Sequence, residues 1–180
     1  MAHVFEPAPT GRAKCRGCGK PIAKGELRFG ERMPSPFGDG DMTLLFHPLC
    51  AAYRRPESIL ESLAESSEGV ADRETLERVS RASAAHRRLS RIDGAQKSPN
   101  ARAKCRNCKE TIPNGSWRIR LVFFEAGRFM PGGFIHLDCQ RAYFEGHDAL
   151  ASAVHFSPDL SDEEREELTR AWGTTPDPIP

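Results

Sequence analysis

The chain has 180 residues, a formal net charge of +1 and 38% hydrophobic residues. It contains no apolar run long enough to cross a membrane and no signal-peptide core near its first residue. These features exclude a membrane-spanning protein and predict an intracellular one: cytoplasmic, nucleoid-associated if the source is bacterial, or nuclear if it is eukaryotic.

The small net charge hides an alternation along the chain. Residues 1–55 carry nine basic and five acidic side chains, and residues 96–145 carry nine and four. The other two stretches are acidic, with six basic and eight acidic side chains in 56–95, and two and eight in 146–180. Two basic stretches suit contact with a phosphate backbone, although a solvated basic surface without a ligand gives the same counts.

The first part of the chain predicts a small α+β arrangement in which proline- and glycine-rich segments separate short elements. The predicted elements are a flexible lead-in over 1–10, a strand over 27–33, a loop over 34–42, a strand over 43–46 and a short helix that begins at Pro48.

The middle of the chain predicts helices. One short amphipathic helix contains Ile59 and Leu63 and ends near Ser66 and Ser67, and a second spans 72–91. Gly94 is predicted to end the second helix, and residues 95–100 are predicted to form a polar linker.

The last part repeats the first and then adds a helix. The pattern predicts a strand over 117–124, a loop over 125–133 and a short helix over 137–145. Ser161 and Glu164 form the signature of a capping box, which predicts a final helix over about 162–172 followed by a disordered tail.

All six cysteines fall into two repeated sets, each with three cysteines and one histidine. A C-x2-C pair opens each set, and an H-x2-C pair closes it after 28 residues in the first copy and 27 in the second. The first set is Cys15, Cys18, His47 and Cys50, and the second is Cys105, Cys108, His136 and Cys139.

The composition of these sets favours zinc, which takes four cysteine and histidine ligands in a closed tetrahedral site. Four protein ligands leave no open position, so two structural ions per chain are predicted rather than catalytic ones. A disulfide framework would not require a histidine at the same place in each copy, and a thioredoxin-like pair needs a βαβ pattern that is not visible here. Each copy is too short to bury a large core, so the ion must contribute stability.

Basic residues flank the first ligands of both sets. Three thiolates on Zn²⁺ leave one net negative charge, so these residues either offset that charge or contact phosphates, and the sequence leaves both roles open. They are Lys14, Arg16, Lys104 and Arg106.

The residues around the ligands resemble the PARP-type (poly(ADP-ribose) polymerase-type) zinc finger, a family that includes the nick-sensing finger of DNA ligase III. The shared pattern is Arg-Ala-x-Cys-x-x-Cys, then Ile-x-x-Gly-x-x-Arg, then a long loop and an aromatic-His-x-x-Cys. Leu45 and Phe134 stand where the family often has tryptophan, and Ile135 replaces the aromatic residue. The matching stretches are 11–28 with 46–50 and 101–118 with 135–139.

This resemblance implies two compact fingers that bind DNA strand breaks. Family arginines contact phosphates, and an apolar pair in the loop stacks on an exposed base pair. The implied phosphate contacts are Arg12, Arg28, Arg102 and Arg118, with Lys14 and Lys104 added from their positions beside the ligands. The implied stacking residues are Phe37, Met42, Phe129 and Met130.

The predicted fold is therefore a pair of small α+β zinc-stapled domains, each a short antiparallel sheet plus a helix, joined by a helical segment and followed by a C-terminal helix. The predicted function is non-enzymatic recognition of nicked, gapped or broken DNA by a monomer, in DNA repair alongside repair enzymes. Two alternatives stay open: a zinc-stabilised protein-interaction scaffold and an RNA-binding module. The predicted boundaries are 1–10 for the lead-in, 11–55 and 100–146 for the fingers, 56–99 for the helical linker and 147–180 for the acidic helix and tail.

Overall fold

The computed structural model describes residues 3–36, 38–65 and 69–174. Within these residues, none of the helices has the length and hydropathy needed to cross a bilayer. The chain divides by its contacts into two compact units. Unit 1 is Met1–Ser90 with Phe124–Phe129, and unit 2 is Arg91–Phe123 with Met130–Pro180.

Unit 1 is built on a three-stranded antiparallel sheet in the order β1-β2-β3. The strands are β1 (Val4–Pro7), β2 (Leu27–Pro34) and β3 (Asp41–Phe46). Alternate side chains along the strands point into the interior, as expected for a sheet with one buried face. The fully buried side chains of this core include Ile22, Phe29, Leu44 and Phe46.

The predicted flexible lead-in over 1–10 is wrong for its central residues, because β1 forms there. Phe5 is paired with Phe29 of β2, and their ring centroids lie 5.0 Å apart. The Ala8 amide donates to the Glu26 carbonyl at 2.8 Å, which extends the pairing beyond the strand. A four-residue edge strand has too short a pattern to be recognised without its partner.

Three helices complete unit 1: α1 (Pro48–Arg54), α2 (Pro56–Glu65) and α3 (Arg73–Ala84). Arg55 Nε and Ser58 Oγ both donate to the buried carboxylate of Glu31 on β2, at 2.8 and 2.6 Å. These bonds fix the α1–α2 junction against the sheet, and α3 packs on both other helices. Residues 56–84 are thus part of unit 1 rather than a separate linker.

The helix predicted over 72–91 is shorter in the structure. It ends at Ala84, and a 3-10 turn follows over Leu89–Arg91. Leu76 and Val79 are buried on the helix, and Leu89 is buried on the 3-10 turn. The predicted end of the preceding helix, near Ser66 and Ser67, lies outside the described residues.

Unit 2 contains the second three-stranded antiparallel sheet, in the order β4 (Ile92–Lys97), β5 (Trp117–Glu125) and β6 (Arg128–His136). The polar linker predicted over 95–100 is wrong in its first half, where β4 forms a strand against β5. The register shifts between Ile92 and Ala95, at Gly94 with φ of 108°. A Cβ at Gly94 would lie 2.4 Å from the Phe156 carbonyl oxygen, so only glycine fits this bulge.

The predicted loops are shorter than expected because the strands continue into them. Ala126 and Gly127, with φ of 47° and 75°, form a two-residue turn between β5 and β6, in place of the loop over 125–133. Two consecutive positive φ values are typical of a type I′ hairpin. Phe129 and Met130 therefore lie on β6, and Met42 lies on β3.

The C-terminal region of unit 2 is helical, and the predicted final helix is confirmed. Ser161 Oγ accepts from the Glu164 amide and the Glu164 carboxylate accepts from the Ser161 amide, so both halves of the capping box form. The helix α5 (Leu150–His155) was not predicted. Two residues beyond its end, the Ser157 hydroxyl accepts a hydrogen bond from the Ala95 amide of β4 at 2.7 Å. Residues 175–180 of the predicted tail lie outside the described residues. The elements are a 3-10 turn (Leu137–Cys139), α4 (Gln140–Tyr143), α5 (Leu150–His155) and α6 (Asp162–Gly173).

Candidate metal centres

The structure brings the first predicted ligand set together at one edge of unit 1. Its four ligand atoms lie within 4.8 Å of one another. His47 Nδ1 is 3.4 Å from Cys18 Sγ and 4.0 Å from Cys50 Sγ, and the His47 amide donates to Cys15 Sγ at 3.3 Å. The C-x2-C turn supplies two sulfurs and the start of α1 supplies the third, so the site joins distant parts of the sequence.

The second set has the same arrangement in unit 2. Its four ligand atoms also lie within 4.8 Å of one another. His136 Nδ1 is 3.4 Å from Cys108 Sγ and 3.9 Å from Cys139 Sγ, and the His136 amide contacts Cys105 Sγ at 3.4 Å. The nitrogen–sulfur distances are nearly the same in the two ligand sets. This agreement indicates that both sites are arranged to bind the same ion.

A backbone carbonyl orients each histidine ring. His47 Nε2 lies 3.3 Å from the Pro21 carbonyl, and His136 Nε2 lies 3.2 Å from the Thr111 carbonyl. A hydrogen on Nε2 satisfies that carbonyl and leaves Nδ1 as the free base that faces the sulfurs. This outer partner is the usual means by which a protein fixes the tautomer of a ligating histidine.

The donor set and its spacing fit zinc. Bonds of about 2.0–2.3 Å in a tetrahedron separate the ligand atoms by about 3.3–3.8 Å, close to the sulfur–nitrogen distances found here. Neighbouring thiols and burial raise the pKa of Cys50, and burial with the nearby Cys105 raises the pKa of Cys139 to about 12. A cation that displaces these protons relieves the crowding. The chain therefore has two Cys3His groups able to bind zinc.

The turns that carry the two C-x2-C pairs differ at one position with a positive φ. Gly19 in the first turn has φ of 74°, and Lys109 at the matching place in the second has φ of 69°. Glycine adopts this conformation without steric cost, whereas lysine does not. Gly17 adds tight packing to the first knuckle, since a Cβ there would lie 2.9 Å from the Cys50 Cβ.

Comparison with known proteins shows a similarity over most of the first unit. Residues 6–86 match the sequence profile described as the "Poly(ADP-ribose) polymerase and DNA-Ligase Zn-finger region". The match spans the first Cys3His group together with α2 and α3. Residues 6–86 are therefore similar to this zinc-finger region. The matched stretch includes the helices that follow the first ligand set.

Two curated relatives share this similarity. A poly [ADP-ribose] polymerase of Drosophila melanogaster is 26% identical over 157 residues, which are 77% of this chain and 16% of the relative. Poly [ADP-ribose] polymerase 1 of Caenorhabditis elegans is 40% identical over 50 residues, 28% of this chain and 5% of the relative. The chain thus spans less than a fifth of the length of these PARP relatives.

Four of the six predicted phosphate-contacting residues are exposed, and they lie close in sequence to the first ligands of the two Cys3His groups. In unit 1, Lys14 lines a cleft of about 530 Å³ together with Arg16 and Thr43. A surface cation next to a cleft is free to meet an anion from solution. The four exposed residues are Arg12, Lys14, Arg102 and Lys104.

Arg28 is turned toward its own sheet. It is paired with Glu6 across β1 and β2, and its Nε donates to Glu6 Oε1 at 3.0 Å. Only 13% of the Arg28 side chain is exposed, against 41% for Glu6. The carboxylate neutralises the guanidinium locally, so Arg28 offers less charge to a phosphate than the sequence pattern suggested.

Arg118 occupies the same place in unit 2 and is buried, with 6% of its surface exposed. Its guanidinium lies 3.7 Å from the centroid of the Phe134 ring and donates to Ser98 Oγ at 3.2 Å. With the Gln96 amide turned so that its oxygen faces Arg118, that oxygen accepts from Nη2 at 2.6 Å. Burial, with the charge of Arg120, lowers the pKa of Arg118 from its ordinary value.

The predicted stacking residues have different surroundings. Met130 is 48% exposed and is the exposed large hydrophobic residue of the described part of the chain. Met42 is half-buried on β3, with its Sδ and Cε close to Gly127. Phe37 lies outside the described residues.

Phe129 is half-buried and packs inside unit 1. Its ring meets Phe46 edge-on at 6.2 Å and Phe124 at 4.9 Å, and the Arg54 guanidinium lies 5.3 Å from its centroid. In this arrangement the ring is engaged by protein partners rather than presented to a base pair.

The sequence analysis did not identify Glu6, Gln96 or Ser98, the partners that hold the two arginines. A signal for them was present, because Arg28 and Arg118 differ by 90 in number, as do Glu6 and Gln96. If the alignment of the two copies is extended to the residues before Cys15 and Cys105, the segment of β1 aligns with that of β4, and Glu6 aligns with Gln96.

Proposed function

We propose that this chain binds DNA at strand breaks through its two zinc-stabilised units and does not itself catalyse a reaction. The observation that carries the proposal is the repeated Cys3His group with exposed basic residues beside it in both units. The first group also lies in the region matched to the zinc fingers of polymerases and ligases. Cations presented by a rigid knuckle give affinity for phosphates without sequence preference.

The exposed residues beside the ligands are the best candidates for phosphate contacts. Arg12 and Lys14 serve unit 1, and Arg102 and Lys104 serve unit 2. Arg28 and Arg118 stabilise their sheets instead, because their guanidinium groups are already bound by Glu6 and by Ser98 with Phe134. The exposed basic residues are thus proposed to contact DNA, whereas Arg28 and Arg118 are proposed to stabilise the two sheets.

Preference for a break needs a group that detects an unstacked base pair. Met130 is suited to this role in unit 2, since it is exposed and apolar, and Phe37 keeps the predicted role in unit 1. Stacking is worth roughly 1–3 kcal/mol per base, about 5- to 150-fold in affinity. Met42 lies on β3 near the start of that strand.

A competition experiment tests the proposal. Nicked, gapped, blunt-ended and covalently closed circular DNA of one sequence compete for the chain against a labelled nicked duplex. We expect nicked and gapped DNA to compete best, with one chain bound per nick. Equal competition by closed circles would remove break recognition, and stronger competition by RNA would favour an RNA-binding module. Weak competition by every nucleic acid would favour a protein-interaction scaffold.

Variants separate affinity from preference. Replacing Arg12 and Arg102 with Gln should weaken binding to all DNA forms, while Arg170→Gln on α6 serves as an exposed control. Met130→Ala should lower the ratio of nicked to closed-circle affinity and spare binding to intact duplex. An unchanged ratio would show that Met130 does not stack.

A further inference from the structure

Unit 2 carries an aromatic ring with two arginines beside it, one from the C-x2-C turn and one from outside the ligand pattern. The Arg91 guanidinium lies 4.7 Å from the centroid of Phe123, and that of Arg106 lies 5.4 Å from the same centroid. Both distances are within the range in which a ring attracts a cation. We call these three residues the Phe123 cluster.

The backbone of β6 is shaped to receive the Phe123 cluster. A Cβ at Gly132 would lie 2.7 Å from Phe123 Cε2, and one at Gly133 would lie 3.2 Å from Arg106 Nε. Gly133 also has φ of 84°, a conformation that favours glycine. The absence of side chains at the two glycines therefore lets the Phe123 ring and the Arg106 side chain pack directly against the backbone of β6.

The two guanidinium groups of the Phe123 cluster lack an acidic partner in the part of the chain that the structure describes. Among the described residues, no carboxylate pairs with Arg91 or Arg106, and neither guanidinium donates a hydrogen bond. Arg106 is exposed and Arg91 is half-buried. Two like charges held beside one ring repel each other, and an anion placed at the cluster would relieve the repulsion.

We propose that the Phe123 cluster is a further phosphate-contact site of unit 2, in which Arg91 and Arg106 take a phosphodiester group of the DNA backbone. Guanidinium groups suit this ligand because their donors match the geometry of phosphate oxygens. The inference rests on the proposed function. It assigns Arg106 of the repeated motif to a phosphate contact and adds Arg91, which lies outside that motif. It applies to unit 2, because Met33 occupies the position of Phe123 in β2 of unit 1.

The salt dependence of binding tests this site. Each phosphate contact adds about 0.9 to the slope of log affinity against log salt on duplex DNA, or about 3.5-fold between roughly 50 and 200 mM salt. Binding of the full chain to a nicked duplex is measured over that range for Arg91→Gln, Arg106→Gln and the double variant. The double variant should lose about 12-fold less affinity across the range than the unmodified chain. Arg170→Gln, exposed on α6, is the matched control and should keep the original slope.

Two further variants distinguish contact from support. Arg106→Lys keeps the charge and should restore most of the slope, and Phe123→Leu keeps both charges and should weaken binding with less change in slope. Zinc content of two per chain verifies that each variant is folded.

A double variant with the original slope would overturn the inference even if nicked DNA remains preferred. If nicked and closed DNA bind equally but the double variant still lowers the slope, the site stands and break recognition fails. If the unmodified chain does not bind DNA, both fail together.

Discussion

Replacing Arg118 with alanine distinguishes a residue that holds the fold from one that holds DNA. The family motif predicts a phosphate contact, but the structure buries the guanidinium against Phe134 and bonds it to Ser98 and Gln96. Removal would leave two acceptors without donors and uncover one face of the ring. We therefore expect Arg118→Ala to lower the free energy of unfolding of unit 2.

The structure sets the size of that loss. A hydrogen bond to a charged group contributes about 1.5–3 kcal/mol, and a desolvated cation–ring contact contributes about 2 kcal/mol. Contributions of groups that share one guanidinium do not add fully, so we expect a loss of about 3 kcal/mol. Arg102→Ala changes an exposed side chain and should change stability by less than about 0.5 kcal/mol.

Urea unfolding followed by tryptophan fluorescence measures the loss in the relevant unit, because Trp117 and Trp172, the two tryptophans of the chain, both lie in unit 2. Arg118→Lys should recover little, since an ammonium cannot reproduce the planar fork. The reasoning is refuted if Arg118→Ala unfolds at the same urea concentration as the unmodified chain while binding to every DNA form weakens. That result would place the guanidinium on the phosphate.

Three other perturbations have definite expected outcomes. Cys18→Ser should reduce bound zinc from two ions per chain to about one, measured by elemental analysis, whereas a fall to zero would contradict independent sites. The hydrogen bond from Lys97 lowers the pKa of Glu167, so its stabilisation is present above pH of about 4.5 and is lost as pH falls through the lowered pKa. Unfolding curves of the unmodified chain and Glu167→Gln should therefore differ at pH 7 and converge in acid; a constant difference would contradict this. Lys109→Gly should raise the stability of unit 2 by about 1 kcal/mol in urea unfolding, and Gly19→Ala should lower that of unit 1, because both positions have positive φ.

The ligand sets could be predicted from the sequence because zinc chemistry constrains residue type and spacing together. Cys15 and Cys18 must lie on one tight turn, and the later His-x2-Cys pair must return to it, so the pattern is visible without any partner. The final helix was predictable for the same reason, since Ser161 and Glu164 satisfy each other locally.

Pairing between distant segments was not predictable from local pattern. β1 and β4 are edge strands of four and six residues. Neither contains enough alternating apolar and polar residues to be recognised as a strand from the sequence. The burial of Arg118 follows from the identity of Gln96, its partner across β4 and β5, which no motif around the cysteines contains. The hairpin loop was overestimated because Gly132 and Gly133 suggested a turn, whereas they make room for Phe123 and Arg106 within a strand.

The pairing of β4 with β5 determines how the second unit can be studied alone. A protein fragment that starts at residue 100, where the repeated motif begins, would lack the strand that covers β5 and would expose a row of unpaired amides and carbonyls. Such an edge recruits other chains and favours aggregation. It would also remove Gln96 and Ser98, leaving the Arg118 charge in an apolar surrounding. A recombinant fragment that begins at or before Arg91 keeps the sheet closed on that side and retains the Phe123 cluster.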